Sequence, residues 1–229
     1  MTRTESDHGA PIDARIDRRA VLRLVAAAAG GALFDPRRAV AQLARAGRAA
    51  DRLGRIGLQL YTVRGLMDTD LEGTIAAVAA IGYREVELAG LHGRSVKDMR
   101  AILDRHGLAA PSSHISMQDV RGDWARTLDD AATLGQSYIV CPWIDAPDRT
   151  VDGYTRVAHE LTRAGEASRA RGIQLAYHNH DFEFTPVAGR LPYDILIAES
   201  DPSLVQLELD IYWIMKACQD PLAYFARYP

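Results

Sequence analysis

Tyr177-His178-Asn179-His180-Asp181-Phe182-Glu183-Phe184 follows directly on the apolar run Ile173–Tyr177 and sets two imidazoles and two carboxylates within eight residues. Such a stretch reads as a strand that ends in chemistry. A second segment, Val205-Gln206-Leu207-Glu208-Leu209-Asp210-Ile211, alternates strictly. Val205, Leu207, Leu209 and Ile211 therefore share one face, and Gln206, Glu208 and Asp210 the other. Carboxylates on an inward face are costly unless they are paired, bound to a metal or open to solvent, so the second face belongs at a mouth and not in a sealed core.

Working outward, strand-like runs begin near Ile56, Arg84, Ala109, Ser137, Ile173 and Val205, and each gap holds one amphipathic segment of helix length. The spacing predicts helices over Leu71–Ala80, Val96–Arg105, Trp124–Leu134, Tyr154–Ala170 and Tyr193–Glu199, with Asp220-Pro221 opening a sixth. Gly82, Gly107, Gly135 and Gly172 stand where helices give way to strands. This is a βα repeat. The strands alternate (Gln59 with Tyr61, Glu85 with Glu87, Gln174 with Ala176 and His178), whereas the central strands of an open doubly wound sheet read as continuous apolar runs. The fold class expected is therefore α/β, a (β/α)8 TIM barrel with its reactive groups at the C-terminal strand ends. No Gly-x-Gly-x-x-Gly follows the first strand, which argues against a dinucleotide fold. Six strands are counted where a barrel needs eight, so the expectation is a barrel truncated after about six βα units, the missing two accounting for roughly 60 residues. Self-association into a homo-oligomer stays open.

The chain has 229 residues and a formal net charge of −3. Residues 1–50 carry nine Lys/Arg and five Asp/Glu, which leaves 18 against 25 in residues 51–229, a net of −7. An acidic body argues against a nucleic-acid partner. Arg18-Arg19 precedes a short apolar run, Val25–Phe34, too short for a stable membrane span, and Ala39-Val40-Ala41 offers a small-residue cleavage site. Residues 1–41 are read as a twin-arginine-type export signal that engages the twin-arginine export machinery, 42–54 as a linker and 55–229 as the barrel. That reading places the mature protein in the periplasm or otherwise outside the cytoplasm. Cys141 and Cys218 are too few for a disulfide framework and are expected as buried thiols.

Gly57-Leu58-Gln59-Leu60-Tyr61-Thr62-Val63-Arg64, Tyr177–Phe184, and Leu209-Asp210-Ile211-Tyr212-Trp213 with Asp220-Pro221 closely resemble the sugar phosphate isomerase/epimerase proteins of the xylose isomerase-like barrel superfamily. The resemblance covers about residues 55–229 and implies a single divalent metal at the barrel mouth, held after strands five to eight. It implies Asp210 as the strand-six ligand. His178 occupies the place of the strand-five ligand, with Glu183 a few residues on as the other candidate, and the last two ligands would lie beyond Pro229. Oxygen and imidazole ligands suit Mn, Mg, Co or Zn alike.

The chemistry implied is proton transfer next to a sugar carbonyl, which needs a Lewis acid and a base of near-neutral pKa. His180 and Glu183 are the candidates for acid/base work. Glu87 and His114 are placed to bind carbohydrate hydroxyls, and Tyr61, Trp143 and Trp213 to stack on a sugar ring. The function expected is a metal-dependent isomerase, epimerase or related lyase acting on a sugar or oxidised sugar. The alternative is a non-catalytic sugar-binding barrel or an inactive truncated product.

Overall fold

The computed structural model describes residues 56–228. The expected export signal and linker, residues 1–54, lie outside them. Six parallel strands, β1 (Gly57–Gln59), β2 (Glu85–Leu88), β3 (Ala109–Ser113), β4 (Tyr138–Cys141), β5 (Gln174–His178) and β6 (Val205–Glu208), alternate with helices. The long helices are α2 (Leu71–Ile81), α3 (Val96–Arg105), α5 (Trp124–Leu134), α6 (Val151–Ala170) and α7 (Pro192–Glu199). Shorter ones are α1 (Arg64–Thr69), α4 (Met117–Arg121), α8 (Ile211–Lys216) and α9 (Pro221–Arg227). The βα repeat thus runs as expected, and α1, α4 and α8 are short helices beyond those expected. Three bounds moved outward: α2 ends one residue late, α7 starts one residue early, and α6 starts three residues early because the Thr150 hydroxyl accepts from the Gly153 amide and caps it there. No helix among the described residues is long and apolar enough to cross a membrane.

The strands pair in the order β1-β2-β3 and β4-β5-β6. Between β3 and β4 the described ladder shrinks to a single bridge, His114 with Val140, plus a bond from the Ser137 amide to the Pro111 carbonyl at 2.9 Å. Pro111 has no amide to give to either neighbour. It sits at a bulge: Glu85 faces Ala109 but Glu87 faces Ser112, so three residues of β3 answer two of β2. The extra residue reverses the side-chain alternation. Ala110 therefore packs in the outer layer, whereas Ser112 and His114 both turn inward toward Glu87.

The apolar faces lie outside the sheet, under the helices. One cluster joins β1–β3 to α1–α3 through Val86, Leu88, Ile75 and Leu103; another joins β4–β6 to α5–α7 through Ile139, Leu175, Tyr154 and Leu196. Val205 is buried in the second, with Leu207 and Leu209 packed against it, but Ile211, expected on the same face, is exposed at the cavity because the strand ends at Glu208 and a helix starts at Ile211. Cys141 is buried there too, but Cys218, expected inside, is exposed just beyond α8 with φ of 57°. The chain leaves α8 through that left-handed residue, and its side chain is carried outward.

Candidate active site

At the C-terminal ends of the strands, a cavity of about 1220 Å³ opens. Its lining includes Tyr61, Glu87, His114, Trp143, His178, His180, Asp210 and Trp213, eight of the nine residues singled out from sequence. Each arrives by the geometry of its strand end. Glu87 and His178 are inward residues of β2 and β5, while His114 is turned in by the β3 bulge. Asp210 follows the last inward residue of β6, Glu208.

These groups form one chain of polar contacts. The Ser112 hydroxyl donates to Glu87 at 2.7 Å, and the Glu87 carboxylate lies 3.0 Å from His114 Nε2. Glu208 sits between the two imidazoles, 3.5 Å from His114 Nε2 and 3.2 Å from His178 Nδ1. His178 Nε2 is 3.6 Å from Asp210 Oδ2. The Gln59 amide nitrogen comes within 3.1 Å of His114 Nδ1. Burial of His114 disfavours its charge, but hydrogen bonds to Glu208 and Glu87 outweigh that and push its pKa up to about 9. Burial likewise works against the Glu208 anion, and the two imidazoles prevail, holding it down at about 2. His180 has no such carboxylate partner; burial first, then its neighbour His178, lowers it to about 4.

Donor atoms of His114, His178 and Glu208 lie within 4.8 Å of one another, close enough to share one ion. An imidazole-and-carboxylate set fits a first-row divalent metal or a harder ion such as Mg²⁺. The fit is therefore met, with Asp210 Oδ2 beside the group. Glu208 was not singled out from sequence, although the alternation of its strand had already put it on the same face as Asp210.

Glu183 does not reach the mouth. The chain turns back after Asp181 through the 3-10 turn Phe182–Phe184, and this drops the Glu183 side chain behind the sheet, fully buried. There its carboxyl accepts from the Tyr177 hydroxyl at 2.5 Å and the His180 amide at 2.8 Å. The expectation of Glu183 as metal ligand and acid/base group is corrected accordingly: of the two strand-five candidates, His178 is the one that faces the cavity.

Aromatic rings form the opposite wall. The His180 ring lies 4.9 Å from Trp213 and 5.2 Å from Trp143, and its Nδ1 is buried without a partner. Cations brace the wall from outside: the Arg149 guanidinium sits 3.5 Å over Phe182 and 4.5 Å over Trp143, and Lys216 sits 4.4 Å over Trp213 while pairing with Asp181 at 2.8 Å. Tyr61 is about half exposed, with Arg64 4.1 Å over its ring. The sequence carried no signal for Arg149, because the nearer of its two ring partners, Phe182, arrives from the next βα unit.

Comparison with known proteins agrees with this architecture. Two curated inosose dehydratases of Lacticaseibacillus casei, one from strain BL23, are each 25% identical over 182 residues, covering 70% of this chain and 60% of theirs. The chain thus spans about 60% of the length of those relatives. The solved structure of a sugar phosphate isomerase/epimerase from Parabacteroides distasonis ATCC 8503 is 28% identical with a TM-score of 0.68, over 78% of this chain and 73% of that one. A xylose isomerase-like TIM barrel protein from Mycobacterium smegmatis, solved in complex with magnesium, shares the fold at 14% identity and a TM-score of 0.55, over 70% of this chain and 63% of that one. The family model for the xylose isomerase-like TIM barrel matches residues 75–228, well over half the sequence. A βα repeat with polar strand ends around one cavity, matched over that span, makes this chain a member of the xylose isomerase-like TIM barrel family.

Proposed function

We propose that the barrel mouth belongs to a divalent-metal-dependent enzyme that moves a proton next to the carbonyl of a sugar, an oxidised sugar or a cyclic polyol ketone. The observation that carries the reading is the convergence of His114, His178 and Glu208 donors within 4.8 Å at three strand ends, beside a cavity of about 1220 Å³. His178, Glu208, Asp210 and His114 are the residues that would hold the ion. Once bound, it supplies the Lewis acidity that polarises a carbonyl and makes the neighbouring C–H acidic.

The remaining residues bind, orient and move protons. Trp143, Trp213 and Tyr61 present ring faces to the apolar C–H face of a sugar. Glu87, held by Ser112, and Gln59 accept from and donate to substrate hydroxyls. His180 lines the cavity without a carboxylate partner, framed by the two tryptophans, and is the group assigned to take and return the carbon-bound proton. Isomerisation, epimerisation and dehydration next to a carbonyl all begin with that removal, which accords with relatives named for both kinds of reaction. The Arg18-Arg19 pair and the run after it support export, so we place the substrate outside the cytoplasm; a protein that begins at Met1 by intact mass and is confined to the cytoplasm would contradict this.

The test uses that shared first step. The 229-residue chain is incubated in D₂O with a ketopentose, a ketohexose and an inosose, with and without Mn²⁺, and deuterium at the carbon next to the carbonyl is read by mass. Metal-dependent incorporation with at least one of them is expected, and His178→Ala should cut it on the order of a thousandfold. No exchange in the wild-type chain, or exchange indifferent to metal, overturns the reading.

A further inference from the structure

We infer that Asn179 is the positioning residue that fixes Asp210 for metal binding; the inference rests on the metal reading above. The two strands that carry His178 and Glu208 pair for the last time at those two residues. Beyond them the backbones part. At the next step the Asn179 side chain, fully buried, reaches the chain 31 residues on: its Oδ1 accepts the Asp210 amide at 2.8 Å, and its Nδ2 donates to the Asp210 carbonyl at 3.3 Å. An amide nitrogen only donates and a carbonyl only accepts, so this pairing itself fixes which way the Asn179 amide points. The side chain stands in for one more rung of the ladder, with donor and acceptor in the order a strand would offer.

The consequence falls on the Asp210 carboxylate. With its backbone held at both polar atoms, Asp210 also caps α8, its Oδ1 accepting the Trp213 amide at 2.9 Å. One oxygen is thereby used, and the other, Oδ2, is aimed at His178 Nε2, 3.6 Å away. His178 is the residue immediately before Asn179. A single pair of neighbours in sequence therefore supplies a metal donor and the clamp that brings the next strand's donor to it. Alanine lacks both polar atoms, and aspartate would set a second negative oxygen against the Asp210 carbonyl, so asparagine is the residue type the position requires.

Mn²⁺ titration calorimetry on the full 229-residue chain tests this, with Asn179→Ala, Asp210→Asn, the double variant and Leu196→Ala. The last is a core truncation in α7, remote from the mouth, that measures what destabilisation alone does to affinity. Asn179→Ala is expected to weaken Mn²⁺ about tenfold or more, Asp210→Asn to weaken it further, and the double variant to match Asp210→Asn, because the clamp has nothing left to aim. Leu196→Ala should lower the thermal midpoint and leave affinity unchanged. If Asn179→Ala does not fold, Asn179→Ser, which keeps one small polar group, is read the same way. Wild-type affinity in the Asn179 variant, or full addition of the two losses in the double, overturns the inference while the metal reading stands. A wild-type chain that takes up no Mn²⁺ overturns both.

Discussion

Within Tyr177–Phe184, His178 and His180 face the cavity while Asn179 and Glu183 are sealed in the wall behind it, so the polar residues of one octapeptide serve two environments. Glu183 pays for its position in proton affinity. Burial outweighs the hydrogen bonds from Tyr177 and the His180 amide and pushes its pKa up to about 7, against an ordinary 4.5. Between those two values the folded chain keeps a proton that the unfolded chain has lost. Unfolding free energy from this group therefore falls as pH rises from about 4.5 to 7 and is flat beyond, a change on the order of 3 kcal/mol. Glu183→Gln removes the titrating group and nearly keeps the shape. The stability of the variant relative to wild type, from urea unfolding, should thus be higher at pH 8 than at pH 5 by roughly 2–3 kcal/mol; an equal difference at both would contradict the buried-acid account. Sequence showed these four residues as a cluster but could not sort them. Strand alternation placed His178 correctly, yet it ends with the strand, and the turn that buries Glu183 has no period to read.

Among the elements, α6 shows how packing overrides propensity. Gly165 lies near the end of this 20-residue helix, where alanine would be favoured by up to about 1 kcal/mol. A Cβ there would meet the Leu204 carbonyl oxygen at 2.6 Å and its carbon at 3.1 Å. The obstacle is backbone just before β6 and cannot swing aside. Gly165→Ala should therefore destabilise the chain by about 1–3 kcal/mol, measured by denaturant unfolding; a variant as stable as wild type would mean that α6 is not seated this closely. The long helices and all six strands were legible because apolar period and glycine joints agree. The short helices α1, α4 and α8 were not: five or six residues are too few to show a 3.6 period. The β3 bulge was hidden for a related reason, since Ala109-Ala110-Pro111-Ser112-Ser113 has no alternation to betray its register.

Across the molecule, the two apolar clusters meet at the thin β3–β4 seam, and the donors of the candidate site come from both sides of it: His114 from the first three strands, His178 and Glu208 from the second three. An ion held by both should knit the halves together. Saturating Mn²⁺ at about 100 times its Kd adds roughly 2.7 kcal/mol of stability by mass action. Hydrogen exchange should show it on both sides, with Val86–Leu88 and Leu175–Tyr177 slowed alike. Protection confined to one half would indicate that His114 takes no part. The charge balance showed the acidic body, and the three motifs of the resemblance end at strands whose termini the structure brings around one cavity. That the site straddles a seam follows only from which strands fail to pair, a long-range fact with no local signature.

The bulge at Pro111 also acts as a parity bit. Counting from Glu85 and Ala109, one surplus residue makes Ser112 and His114 inward and Ser113 outward, where it donates to Gln136. Were β3 to run straight with all its residues in place, Pro111 would face Glu87 and every residue after it would change sides. The imidazole would then point into the helix layer, so that a single step of register, made in a strand with no candidate catalytic group of its own, would turn this edge of the candidate site inside out.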